Sequence, residues 1–248
     1  MAVQTAGLRA RGARPMDPDR RTSLVAGLFF IGTFVFSIPA ALLYSRALKA
    51  NYVIGSGADY RVSLGALLEV LLAVCNIGTA VVLFPVLKRH SEKVGLGYIA
   101  SRIVESCVIV LGAVSVLSII TLRHDVASSG GANATTFVTV GRSLVAFHDW
   151  TFLIGPTFCA GFGNGILLGY LMFRSRLVPR PWAVLGLVGG SLCFVGSTVR
   201  LFTHNGHTTP LTSVLVAPEI AWEAFFALYM TFHGFHRSPV LDRDEAAA

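Results

Sequence analysis

Charged residues are scarce in this sequence. Of its 248 residues, 13% are charged and 54% are hydrophobic, whereas soluble domains usually carry about 25% charged residues. A water-soluble fold needs polar side chains to cover its surface, and this chain has too few of them. The composition therefore excludes an ordinary soluble domain and predicts a protein whose solvent is the lipid bilayer.

Cysteine and the short motifs of common enzymes are also largely missing. The four cysteines lie singly inside apolar stretches and form no CxxC pair, which is typical of free packing residues. The chain has no GxSxG elbow, no HExxH motif and no Walker loop. We therefore expect no resident cofactor. A non-enzymatic role is favoured, and an enzyme stays open as the alternative.

The basic residues that are present do not indicate nucleic-acid binding. The formal charge is +7, but Lys and Arg occur in short runs between apolar stretches, as loop anchors do in membrane proteins. We expect the lipid bilayer as the partner and no nucleic acid.

Six apolar stretches are long enough to cross the roughly 30 Å hydrocarbon core of a bilayer. The predicted fold is an all-α bundle of six transmembrane spans, and the predicted domain occupies residues 23–234 between disordered tails, 1–22 and 235–248. The predicted spans are residues 23–44, 62–87, 96–122, 150–173, 182–201 and 211–232.

The distribution of Lys and Arg predicts the orientation of these spans. With the N-terminus inside, 13 basic residues fall on inner segments and six on outer ones. The positive-inside rule then places both termini in the cytoplasm of a bacterium, with a multi-pass domain in its cytoplasmic membrane.

Several short segments resemble a known family. They are Leu83-Phe84-Pro85-Val86-Leu87-Lys88-Arg89, Gly97-Tyr98, Arg102-Ile103-Val104-Glu105, Gly169-Tyr170-Leu171, Arg174-Ser175 and Pro179-Arg180. Together they resemble the bacterial multi-pass membrane family catalogued as domain of unknown function 4386, over residues 23–234. The resemblance implies a helical membrane protein and supplies no catalytic residues.

Ionisable and amide side chains inside the predicted spans are the first candidate site. Such groups cost about 2.5–3.5 kcal/mol each at a helix centre, so they mark ion paths, ligand sites or structural ion pairs. Four of them lie at estimated depths near the midplane. The candidate midplane site comprises Glu69, Asn76, Arg102, Glu105, Asn164, Glu219 and Glu223.

Two pairs in this set share a helical face. Arg102 and Glu105 are three residues apart and predict either an orienting ion pair or a proton- or ligand-linked carboxylate. Glu219 and Glu223 are four apart and would repel each other if both were charged. One of them is therefore expected to be protonated or to pair with Arg102 or Arg200.

Histidine and aspartate near the predicted outer surface are a weaker candidate, for a metal site. His148, Asp149, His204 and His207 are its residues, but the site requires separate loops to converge, and histidines facing water are the competing interpretation.

A stripe of small residues, Gly161, Gly165 and Gly169, predicts close helix packing, within the chain or in a homo-oligomer. Three functions stay open: binding or transport of a small solute, ion or lipid through the midplane residues; a membrane-embedded enzyme or metal-binding protein; and a structural or regulatory membrane partner.

Overall fold

The computed structural model of the chain describes residues 16–49, 51–55, 57–128, 134–203 and 210–236. This described part is helical throughout and contains no strand. Its elements are α1 (Pro18–Tyr44), a 3₁₀ turn (Tyr52–Ile54), α2 (Asp59–Ser128), α3 (Ala134–Phe152), two π-helical segments (Leu153–Cys159 and Gly161–Leu168), α4 (Gly169–Ser175), α5 (Arg180–Phe202) and α6 (Pro210–Phe232).

Helix α2 is a hairpin of two antiparallel arms. Its 70 residues are interrupted at Ser91, whose backbone is extended (φ −163°, ψ 106°). Residues far apart along α2 then face each other: the Ser106 hydroxyl donates to the Ala73 carbonyl over 3.2 Å. The predicted break between the second and third spans is therefore a single residue in the structure, and residues 59–90 and 92–128 are separate arms.

Among the described residues, five helices are long and apolar enough to cross a membrane, with α2 counted once and residues 134–175 counted as one helix. Large apolar side chains point away from the bundle on several helices, including Leu42 at 72% exposure and Val195 at 58%. Such a surface would be unstable in water and is suited to lipid.

The described helices extend beyond the predicted spans. Helix α1 begins at Pro18, inside the predicted tail, because the Asp17 side chain caps it by accepting from the Asp19 backbone N–H over 3.4 Å. Helix α3 begins at Ala134 and runs into the π-helical segments without a break, so residues 134–149, which precede the predicted fourth span, are helical.

Contacts gather the described ends of the chain at one end of the bundle, here called the terminal end. Arg20, in the first turn of α1, donates to the carbonyl oxygens of Met230 and Thr231 at 3.0 and 2.6 Å. The guanidinium thereby binds carbonyls that the last turn of α6 leaves free. Arg89, near the α2 turn, lies 3.4 Å from Asp19. The α2 turn, the start of α1 and the end of α6 therefore share one level.

The glycine stripe packs inside the chain. A Cβ on Gly161 would lie 3.0 Å from the Gly190 carbonyl oxygen, and one on Gly169 would lie 3.2 Å from the Leu187 nitrogen. The π-helical segment and α5 thus approach with their backbones nearly in contact, as small residues permit. This face contacts the chain's own α5.

Candidate functional site

The two arms of α2 hold a buried guanidinium between an amide and a carboxylate. Arg102, 1% exposed, donates from Nη1 to Glu105 Oε2 over 2.7 Å and from Nη2 to Asn76 Oδ1 over 2.5 Å. Asn76 Nδ2 donates to the other Glu105 oxygen over 3.2 Å. The three side chains satisfy one another in a closed ring, and the Phe30 ring lies 5.9 Å from the guanidinium.

A second set of hydrogen bonds extends this ring to the π-helical segment and α6. The Tyr98 hydroxyl donates to Asn164 Oδ1 over 3.2 Å and lies 3.4 Å from the Thr79 hydroxyl. Asn164 Nδ2 donates to Glu223, and Trp222 Nε1 donates to the Asn164 backbone carbonyl over 3.0 Å. We call seven side chains the central network: Asn76, Thr79, Tyr98, Arg102, Glu105, Asn164 and Glu223.

The central network therefore unites five of the seven residues of the predicted midplane site. The π-helical geometry contributes to this, because its wider turns change which residues face each neighbour. A Cβ on Gly163 would lie 2.6 Å from the Ser101 hydroxyl on α2, whereas Gly161 faces α5. Asn164, next to Gly163, thereby reaches both Tyr98 and Glu223.

Glu219 lies one turn before Glu223 on α6 and is 3% exposed. Neither of its carboxyl oxygens has a hydrogen-bond partner among the described residues. Its carboxyl group points at the π-helical segment, since a Cβ on Gly165 would lie 2.5 Å from Glu219 Oε2. A buried carboxyl without a donor is costly when ionised and far less costly when neutral.

Glu69 lies outside the central network, contrary to the prediction. It is two turns of α2 away from Asn76, a rise of about 10 Å. Its Oε1 accepts a 2.5 Å hydrogen bond from the Tyr44 hydroxyl, while its Oε2 has no partner in the described part of the chain. Glu69 and His148 line a small pocket, here called the Glu69 pocket, which is partly open to the surface and has room for about one water molecule.

The prediction that His148 lies at the surface is wrong. His148 is 4% exposed and packs edge-on against the Tyr44 ring, with ring centroids 5.2 Å apart. Its Nδ1 has no hydrogen-bond partner among the described residues and lies 3.9 Å from Asp149, too far for a hydrogen bond. Helix α3 continues into the bundle at this point and carries the imidazole with it.

The predicted metal group does not assemble within the described residues. No three His, Cys, Asp or Glu side chains cluster there in a way that could hold a metal ion. His204 and His207 lie outside the described residues. His124 instead contacts Asp59, with Nε2 3.1 Å from Oδ2.

Asp59 is the centre of a polar cluster at the end of the bundle opposite the terminal end. It pairs with Arg123 and accepts a 2.9 Å hydrogen bond from the Tyr52 hydroxyl. Arg123 also donates to the carbonyls of Gly55 and Gly57, each over 3.0 Å. The pKa of Tyr52 is raised, chiefly by burial. Asp59 raises it further, because its carboxylate accepts the hydrogen bond of the Tyr52 hydroxyl and carries a negative charge. The cluster fastens the 3₁₀ turn across both arms of α2.

Sequence reasoning missed the aromatic partners of the site. Tyr44, Tyr98 and Trp222 each donate a hydrogen bond to a candidate residue or its backbone. A detectable signal existed for Tyr98, because it precedes Arg102 by four residues and so shares its helical face. The contacts of Tyr44 and Trp222 join different helices and have no comparable spacing in the sequence.

Apolar helices of membrane-crossing length around a buried ionic network define a helical membrane protein. Within that class, the chain belongs to the family described as Domain of unknown function (DUF4386), whose match covers residues 25–234. The resemblance seen in the sequence is confirmed. The family description assigns no activity to the central network.

Comparison with curated proteins gave no match, and comparison with solved structures gave none either.

Proposed function

We propose that this protein is a six-span protein of a bacterial cytoplasmic membrane, with both ends in the cytoplasm, that binds a small ion at Glu219, beside the central network. The ion that fits best is the proton. The observation that carries the proposal is the unpartnered, buried carboxyl group of Glu219 beside two further carboxyl groups that share one guanidinium.

The hairpin of α2 supports six spans. Its two arms, residues 59–90 and 92–128, have 32 and 37 residues by their bounds, and about 20 are needed to cross a bilayer. The remaining four candidate helices contribute one crossing each. An even number of crossings agrees with the contacts that bring the start of α1 and the end of α6 together.

The basic residues support the orientation. The terminal end holds Arg20 and the α2 turn with Lys88, Arg89 and Lys93. It also holds the turn after α4, because the His236 backbone N–H donates to the Leu177 carbonyl there over 2.8 Å. By the positive-inside rule this is the cytoplasmic end.

The charge count supports a bound cation. Glu105, Glu219 and Glu223 all interact electrostatically with Arg102. If all three were ionised, three negative charges would act on the single positive charge of Arg102. Unmatched charges in low dielectric are strongly unfavourable, so protons or other cations must neutralise part of this excess.

Packing around Glu219 favours the proton over a metal cation. A Cβ on Gly165 would lie 2.5 Å from its carboxyl, and one on Gly189 would lie 2.6 Å from its backbone nitrogen. Sodium-like or divalent cations need several oxygen ligands around them, whereas a proton needs no additional space.

The experiment counts protons released on unfolding. Protein in mild detergent is denatured with guanidinium at about pH 8, where an exposed carboxyl group is ionised, and released protons are followed with a pH indicator. We expect Glu219→Gln to release about one proton fewer per molecule than the parent, because the folded parent holds that proton on Glu219.

Glu92→Gln is the matched control, because Glu92 is an exposed carboxyl group near the α2 turn. It should release as many protons as the parent. Equal proton release from parent and Glu219→Gln would refute proton binding at Glu219.

A further inference from the structure

The Glu69 pocket contains two buried ionisable groups that the central network does not use. Glu69 Oε2 and His148 Nδ1 both lack hydrogen-bond partners among the described residues, and both side chains are under 10% exposed. They come from different helices, α2 and α3, and both line the pocket. Two orphaned polar atoms at one opening indicate an occupant that can exchange hydrogen bonds with both.

Water is an occupant of the right size and chemistry. A water molecule donates to a carboxylate and either donates to or accepts from an imidazole nitrogen. The remaining lining residues, Ile109, Gly112, Thr151, Phe152 and Pro156, offer no further unpaired group, because the Thr151 hydroxyl already donates to the His148 carbonyl over 2.8 Å. A metal ion would find too few ligands there.

The pocket is aligned with the central network along both arms of α2. Glu69 and Asn76 are seven residues apart, as are Gly112 and Glu105, so each pair lies on one helical face about 10 Å apart. Between these levels lies the Ser106 hydroxyl, which is 2% exposed and bonded to the Ala73 carbonyl. A hydroxyl can accept one hydrogen bond and donate another, so Ser106 can relay a proton when its O–H turns away from the Ala73 carbonyl.

We propose that the Glu69 pocket is a proton-exchange site, where Glu69 and His148 take protons from water entering at the opening and pass them to the central network. The proposal rests on proton binding at Glu219 beside that network, proposed above. A proton that binds Glu69 Oε2 or His148 Nδ1 leaves inward by way of water and Ser106, and the pair returns to its original charge. No other reactant is consumed.

Charged and titratable groups on each neighbouring helix act on this pair. Tyr44 on α1 donates to Glu69, His148 on α3 interacts electrostatically with it, and Asp149 lies 3.9 Å from the imidazole. Arg200 on α5 interacts with Asp149. Imidazole is the side chain best suited to exchanging protons near neutral pH, and the carboxyl group beside it completes the pair.

The test is the rate of hydrogen–deuterium exchange at the buried acid. A protonated carboxyl group in detergent-solubilised protein gives an infrared carbonyl band that shifts in heavy water. The proposal predicts fast exchange in the parent and exchange slowed by about 10²-fold in Glu69→Gln and in His148→Gln, the lower range for losing a positioned proton-transfer group.

Two controls separate this route from general effects. Thr151→Val alters the same pocket without removing an unpaired group, and His233→Gln removes an exposed imidazole at the terminal end; both should exchange at the parental rate. His148→Asn serves where a glutamine variant does not fold.

The outcomes distinguish the two proposals. If the acid band is present but exchanges equally fast in the Glu69 and His148 variants, the pocket is not the route, and proton binding at Glu219 stands. If the parent has no acid band, both proposals are overturned.

Discussion

The two sides of the site differ in how their charges are matched. On the α2 side, Arg102, Glu105 and Asn76 satisfy one another's donors and acceptors within a closed ring. On the α6 side, Glu219 is equally buried and has no hydrogen-bond partner among the described residues. The same residue type, at similar burial, is thus a structural ion-pair member in one place and a proton-binding candidate in the other. The hydrogen-bond and charge partners of a buried glutamate, more than its degree of burial, therefore determine its role.

The largest effect is expected on the matched side. Arg102→Met leaves Glu105 buried without its cation, and removing one partner of a buried pair typically costs about 3–5 kcal/mol. We expect the free energy of unfolding to fall by that amount in a detergent-based unfolding titration. The double variant with Glu105→Gln should recover a large part of the loss, because no lone charge is left. A double variant as unstable as the single one would contradict the ion-pair account.

The packing of the π-helical segment against α5 and Glu219 is the next most sensitive feature. Gly165→Ala places a methyl group against the Gly190 backbone and the Glu219 carboxyl, and overpacking of this kind costs about 1–3 kcal/mol. The same titration measures it. Gly97→Ala is the matched control, because its Cβ would lie 3.5 Å from Leu167, an ordinary contact. Equal stability of the two variants would show that the π-helical segment and α5 are less tightly apposed.

The glycine stripe and the π-helical segments show where prediction from the sequence succeeds and where it stops. Spacing alone predicted that Gly161, Gly165 and Gly169 pack closely, and apolar length predicted an all-helical bundle. Register within the π-helical segments was not predictable, because an α-helical period assigns the wrong neighbours to residues 153–168. Contacts between helices were not predictable either: Glu69 was included with Asn76 in one candidate site, whereas Tyr44, on another helix, holds Glu69 in a separate pocket.

A smaller effect is expected at the Asp59 cluster, which is matched and lies outside the spans. Tyr52→Phe removes one hydrogen bond, at a cost of about 1 kcal/mol. Because the pKa of Tyr52 is raised in the folded protein, its contribution is complete below the ordinary value of 10.0 and is lost as pH rises through the raised value. Melting temperatures across alkaline pH should fall less steeply in Tyr52→Phe than in the parent. Parallel curves would exclude Tyr52 as the titrating group.

The smallest change in stability is expected on the unmatched side. Glu219→Gln removes no hydrogen bond seen among the described residues, and a neutral acid is close in size to the amide. At about pH 4, where the carboxyl group is largely neutral in the unfolded chain as well, the free energy of unfolding should therefore change little. Above that pH the parent should lose about 1.4 kcal/mol per pH unit relative to Glu219→Gln, because its folded state keeps a proton that the unfolded carboxyl group releases. Parallel pH dependence of the two proteins would contradict a protonated Glu219.

Infrared spectroscopy of the parent, Glu219→Gln and Glu105→Gln tests the central comparison most directly. The account predicts a protonated-carboxyl band in the parent that is lost in Glu219→Gln and kept in Glu105→Gln, because Glu105 is ionised beside Arg102. A band that survives Glu219→Gln, or one that disappears in Glu105→Gln alone, would contradict the assignment of the proton to the unmatched side.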